Sequence, residues 1–339
     1  MDRLRRYIIT NFSLLFFSIF MPLFSIASVI FLIKLATYTS VIQLSIWEMF
    51  KLYLFVLPEI FFYTLPVTFF IAATLSLFKL STDNEMVVLF SLGIKPNFLL
   101  KVLLKPALIL SILLSFDFFV MFPHATVLST NFLRYKQSEA KFNLSASEFG
   151  HNFGDWLLYI GKDNKDDSYG DVFLFNRDKE KEILIGAKSA EVLNEGGVLK
   201  LRLKTGQGYS YTAETMTQMD FDIMFINDMM HTDLRQYRST LDFWLDPERR
   251  DNKTQMFITD VLMSLFPLMS LFMAMSIGVV HVRHQKGRIY LYLFSSLLVY
   301  YGATIGLQGL LGFYTIPLVF FSWLIITYVI YRQKILARF

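Results

Sequence analysis

Ser81-Thr82-Asp83-Asn84-Glu85-Met86-Val87-Val88-Leu89-Phe90-Ser91-Leu92-Gly93-Ile94-Lys95-Pro96 is a short polar interruption between two long apolar runs. Thr82 and Glu85 stand at capping-box spacing, in which each side chain satisfies an orphan amide at a helix start. Asp83 puts negative charge where the helix dipole favours it. Gly93 suits the position just past a helix end, and Pro96 blocks continuation. The spacing therefore predicts a separate helix over about 82–93, roughly three turns long. Met86, Leu89 and Phe90 share one face at i, i+3 and i+4. Such a helix is either a connector lying on a bilayer surface or a docking knob for a soluble partner.

The flanking sequence belongs to a membrane. Of 339 residues 54% are apolar, and 36 are Phe, too apolar for an ordinary soluble domain. Six runs are long enough to cross a bilayer, at roughly 12–36, 52–78, 98–122, 255–281, 289–309 and 314–331. The run from Phe12 to Leu35 exceeds a signal-peptide core and reads as a retained span. Arg3, Arg5 and Arg6 precede the first run; Lys79, Lys95, Lys101 and Lys105 flank the polar interruption. Arg283, Lys286 and Arg288 lie between runs four and five, and Arg332, Lys334 and Arg338 follow the sixth. Of the cations outside residues 124–253, only Lys34 and Lys51 fall on the other side. By the positive-inside rule both termini and the 82–93 helix are expected in the cytoplasm. With no Cys, disulfide and thiolate chemistry are excluded.

Residues 124–253 differ in kind, with 17 Lys+Arg against 21 Asp+Glu. Val198-Leu199-Lys200-Leu201-Arg202-Leu203-Lys204 alternates strictly, the period of a half-buried strand. Phe221, Ile223 and Phe225 alternate with Asp220 and Asp222. Trp156–Ile160, Val172–Phe175 and Glu182–Val192 are further strand candidates. Turns are expected at 164–167, 176–178, 194–197 and over Thr205-Gly206-Gln207-Gly208. Short strands at this spacing suit a sandwich, a jellyroll or an open barrel. The expected fold is a membrane α-helical bundle of six transmembrane helices with an inserted all-β, jellyroll-like external domain. Its parts are 1–123 (three spans and the 82–93 helix), 124–253 (the β-domain) and 254–339 (three spans).

Catalytic signatures are missing from the sequence. It has no P-loop, no Rossmann glycine pattern, no His-Glu-x-x-His and no Gly-x-Ser-x-Gly. His281 and His284 bracket Arg283 in a loop, and His124, His151 and His231 are scattered. The ionisable residues of the spans carry more weight, because charge in hydrocarbon is costly. Lys34, Glu59, Asp117 and Asp260 are all expected in the external half of the membrane. They either snorkel and pair within the bundle or form a polar ring at the mouth of a cavity for an anionic amphiphile. Pro58 and Pro66 are expected to loosen the second span.

Leu57-Pro58-Glu59, Leu65-Pro66, Lys79-Leu80, Glu85-Met86-Val87-Val88 and Leu92-Gly93-Ile94 resemble the LptF/LptG permease family of the bacterial lipopolysaccharide exporter. Asp171-Val172-Phe173-Leu174 and Arg283 to Arg288 resemble the LptF branch more than LptG. The resemblance implies an inner-membrane permease paired with an LptG-like partner. An LptB-like ATPase dimer would dock on the coupling helix, here Thr82, Asp83, Glu85, Met86, Leu89, Phe90 and Gly93. ATP and Mg would be used by that partner, leaving this chain without a cofactor. Lipopolysaccharide would enter between spans one and five of the two permeases and pass Lys34, Glu59, Asp117 and Asp260. It would then rise into the β-domain, with Phe221, Ile223 and Phe225 as candidates for the acyl-lining face, towards LptC and an LptA-like bridge. Phe221, Ile223 and Phe225 could equally be a sealed core. The LptG-like role in the same complex, a membrane-anchored periplasmic sensor, and a lipid-modifying enzyme using Glu59, Asp117 and Asp260 are the competing readings.

Overall fold

With no water in hydrocarbon to satisfy amides, an apolar run must close its hydrogen bonds within itself as a helix. The computed structural model describes residues 2–39, 44–140, 149–153, 156–164, 168–177, 182–195, 198–212, 215–227, 240–245, 250–280 and 288–337. The apolar runs form α1 (Asp2–Thr39), α2 (Ile46–Thr82), α4 (Pro96–Phe116), the pair α7 (Arg250–Met269) and α8 (Leu271–Gly278), α9 (Ile289–Leu311) and α10 (Thr315–Tyr331). Shorter helices are α3 (Glu85–Ser91), α5 (Phe122–Ala140) and α6 (Thr240–Trp244). The basic loop 281–287, including His281, Arg283, His284 and Lys286, lies outside the described residues, as do His231 and Arg338.

Four helices qualify as spans by length and apolarity, and five when α7 and α8 count together. The last of these, Ile289–Leu336, has 48 residues, roughly 70 Å of helix against a bilayer core of about 30 Å. It turns back at Gly312, whose φ of 52° a side chain would strain. Thr315 Oγ1 donates to the Leu307 carbonyl across the turn, at 3.1 Å. Farther along, the Tyr300 and Trp323 rings meet at 5.0 Å, and Lys334 lies 5.4 Å over the Tyr292 ring. The stretch is thus a hairpin of two apolar helices.

The sharp break in the helical unit lies outside the second span. α2 runs through Pro58 and Pro66 as one helix. A 45° bend instead separates Lys253–Met269 from Leu271–Gly278, where Pro267 removes a backbone donor. The bent half packs tightly on α2. A Cβ on Gly278 would lie 2.6 Å from the Thr74 carbonyl oxygen and 2.7 Å from Leu77 Cβ. Ser81 Oγ donates to the Gly278 carbonyl at 3.1 Å and accepts from the Val280 amide at 3.4 Å. α1 leans on α2 through aromatic pairs, Phe12 with Phe69 at 5.4 Å and Phe24 with Phe61 at 5.3 Å. Its opposite face, including Leu14, Phe17, Ile26 and Ile30, is exposed.

The chain divides into a helical unit (1–36, 46–129, 236–339) and a second unit (37–45, 130–235). The second unit holds β1 (Phe149–Phe153), β2 (Trp156–Asn164), β3 (Ser168–Arg177), β4 (Glu182–Glu195), β5 (Val198–Tyr211) and β6 (Met216–Asn227). They form one antiparallel sheet in sequence order. The spacing allowed several arrangements, and the described strands take the open, up-and-down one. One face buries Leu158, Ile160, Val172, Leu174, Ile185, Leu201, Leu203 and Ile226. Among the described residues no second sheet covers that face.

Thr205-Gly206-Gln207-Gly208 is not a turn between strands, because β5 continues through it. Thr205 has φ 49° and Asp171 has φ 54°, strained values for residues with side chains. The pairing ladder skips Gly161 opposite Asp171, Asp171 opposite Lys188, Lys188 opposite Thr205, and Thr205 opposite Asp222. A crease therefore crosses five strands. Side-chain alternation switches phase there: Ile185 and Ala187 are buried on one side of it in β4, and Ala190 on the other.

Two outcomes test this packing. Gly278→Ala should force α8 from α2 and cost roughly 1–3 kcal/mol, read as a lower unfolding temperature in detergent. Lys204 and Arg202, both bonded to Glu191 across β4 and β5, hold its carboxyl below the ordinary range. A depressed carboxylate stabilises above its unfolded pKa and loses that contribution as pH falls through its folded one. Amide protection in β4 and β5, taken relative to the intrinsic exchange rate at each pH, should therefore fall on acidification below the ordinary glutamate range, and Glu191→Gln should remove that acid dependence.

Candidate functional site

The interruption between α2 and α4 differs from its expected form. Thr82 still belongs to α2, its hydroxyl donating to the Lys79 carbonyl at 2.9 Å. Asn84 turns the chain at φ 60° and makes no side-chain cap. The capping box is therefore not formed, and α3 is about two turns rather than three. Asp83 is exposed in the turn. Glu85 looks elsewhere: Tyr7 of α1 donates to its two oxygens at 2.8 and 2.9 Å. Gly93, at φ 80°, ends the helix. Its amide bonds the Phe90 carbonyl and the Ile94 amide bonds the Leu89 carbonyl, at 3.0 and 3.1 Å, the paired bonds of a Schellman ending.

The apolar stripe faces the bundle. Met86 is buried in the main core, Phe90 packs against that core, and Leu89 is half-buried. The outward apolar residues are Val87, Val88 and Leu92, the last 72% exposed. Periodicity located a stripe but could not say which side it faced, and so missed these three. The base of α3 is anchored as well. Arg5 lies 5.8 Å over the Phe98 ring, and Tyr331 donates to Asn97 Oδ1 at 2.9 Å. α1 and α10 thus both grip the start of α4.

The four ionisable residues of the spans separate into two pairs. Lys34 and Glu59 are exposed on the helical unit, whereas Asp117 and Asp260 are buried, at 5% and 2% exposure. Lys34 and Glu59 interact electrostatically, and Asp260 interacts with both Glu59 and Asp117. They therefore run from surface to interior instead of forming one exposed ring. Asp117 opens a π-helical turn, Asp117–Met121, which carries Phe118 against Phe62, Phe257 and Trp244. No sequence signal marked that turn. Among the described residues no group of three or more His, Asp or Glu could hold a metal.

In the second unit, Phe221, Ile223 and Phe225 do not share a face. The crease at Asp222 puts Phe221 with the buried cluster. Ile223 and Phe225 lie on the opposite side, 58% and 54% exposed. Phe221 lies across Gly206, where an added Cβ would come 2.4 Å from its ring. Beside the crease is a groove of about 830 Å³ lined by Asp171, Phe173, Lys188, Tyr209, Phe221 and Asp222, among others.

Comparison with curated proteins finds no match. Residues 6–330 of the 339 match the family described as lipopolysaccharide export system permease LptF/LptG, and the chain, with its membrane helices and its inserted sheet, belongs to that family.

Proposed function

We propose that this chain is the LptF-like permease subunit of an ABC transporter that lifts lipopolysaccharide out of the Gram-negative inner membrane. The observation that carries the reading is the family match, which runs unbroken through both helical halves and the sheet between them. An LptB-like ATPase dimer supplies the energy, using ATP and Mg, and docks on α3. Val87, Val88 and Leu92 make the contact, while Met86 and Phe90 root the helix in the bundle. Glu85 passes the stroke to α1 through Tyr7.

The end of the bundle bearing α3 and both termini is cytoplasmic, consistent with its Lys and Arg surplus. An LptG-like permease completes the complex. α1 and α9 suit the lateral entrances, since each keeps a broad apolar face exposed: Phe17 and Ile30 on α1, Phe294 and Leu298 on α9. Lys34, beside Glu59 on the surface, meets phosphate of the incoming lipid as a point charge. The lipid then follows the apolar face of the sheet, past Phe221, towards LptC and an LptA-like bridge.

Affinity purification of the tagged chain in mild detergent should recover an ATPase, a second permease and lipopolysaccharide. Recovery of the chain alone overturns the reading. Within that complex, Leu92→Asp or Glu85→Lys should abolish ATPase recovery. Tyr7→Phe should keep the ATPase bound and hydrolysing while lowering lipid release several-fold; unchanged release would remove the Tyr7–Glu85 tie from the stroke. A photo-crosslinking residue at 221 should capture lipopolysaccharide and one at 225 should not. The reverse result would move the lipid to the outer face.

A further inference from the structure

Asp260 and Asp117 are both buried in the helical unit, at 2% and 5% exposure. Among the described residues, Asp260 Oδ1 has no hydrogen-bond partner. On α2 the ionisable groups facing it are Glu59 and Tyr63, and on the π turn after α4 it is Asp117. α9 brings Tyr300, which donates to the Leu262 carbonyl at 2.7 Å, and Tyr301. α8 has no ionisable residue, and α10 has only Tyr328 and Tyr331 at its far end. Lys253, two turns earlier on α7, donates to the Phe243 carbonyl. Lys34 acts on Glu59. Among the described residues, the groups that interact electrostatically with Asp260 are thus the Glu59 and Asp117 carboxyls and the Tyr63 phenol.

A second observation places these carboxyls at a helix contact. Ser264, one turn from Asp260 on α7, accepts from Ser115 of α4 at 3.3 Å, just before the π turn begins at Asp117. Two ionised carboxylates at such a contact repel each other and give up hydration without compensation. A bound proton removes both penalties.

We propose that Asp260 and Asp117 form a proton-binding site inside the helical unit, sharing at least one proton and exchanging it through exposed Glu59. Proton loss places like charges across the α4–α7 contact and pushes the two helices apart. The site therefore links proton activity to the packing of the bent span.

The test uses the full chain in its own membranes and dicyclohexylcarbodiimide, which attacks protonated carboxyls in apolar surroundings, with mass-spectrometric mapping. Between about pH 5 and pH 9, an adduct is expected on Asp260 or Asp117, its yield falling about tenfold per pH unit above the midpoint. Adducts on Glu59 alone, or on none of the three at any pH, overturn the proposal. Asp260→Asn imitates the protonated form and should keep the native unfolding temperature. A collapsed Asp260→Asn beside an intact Asp260→Glu would mean that the negative charge itself is required, and would also overturn it.

Discussion

Gly278 lies so close to Thr74 and Leu77 that no side chain could stand between the helices. That approach brings together two parts of the chain separated by the whole β unit. α2 belongs to the stretch before the sheet and α8 to the stretch after it, and hydrocarbon gives no hydrophobic reward for their meeting. Close backbone contact and shared hydrogen bonds provide it instead. Ser81 bonds both Gly278 and Val280 from the last turn of α2. α3 follows directly, so its orientation inherits this contact.

Around that joint the basic end of the bundle is tied by several modest interactions rather than one strong one. Tyr7 holds Glu85, Arg5 covers Phe98, and Tyr331 holds Asn97. Each links a different pair of elements, and together they connect α1, α3, α4 and α10. A short helix with an exposed apolar face needs such bracing to push or pull as a unit, since a seven-residue helix has little stability of its own.

Much of the architecture could be read from the sequence because it depends on local sums. Hydrophobic runs, flanking cations and period-2 alternation located the spans and five of the strands, and Gly93 marked the end of α3. Other features depend on what a residue packs against. Met86, Leu89 and Phe90 formed a clear stripe, yet nothing in the spacing showed that it turned inward. Thr82 and Glu85 had capping-box spacing, but Asn84 broke the chain between them and Tyr7, far away in sequence, claimed the Glu85 carboxylate. Asp117 and Asp260 were found as charges in apolar runs, while the π turn that carries Asp117 has no composition signal. β1, α5 and α6 were missed because their residues are mixed in character and short on periodicity.

The crease through Asp171, Lys188, Thr205 and Asp222 makes the sheet two half-sheets of opposite phase. On either side of it the inward residues are counted on different parities, so the apolar face stays continuous only because all the central strands change step together. Losing one residue from a single strand at that line would restore its simple alternation. It would also turn half of that strand inside out against neighbours that still change step. The crease thus acts as a register lock, and natural length variation in this unit belongs in the connections between strands, not within them.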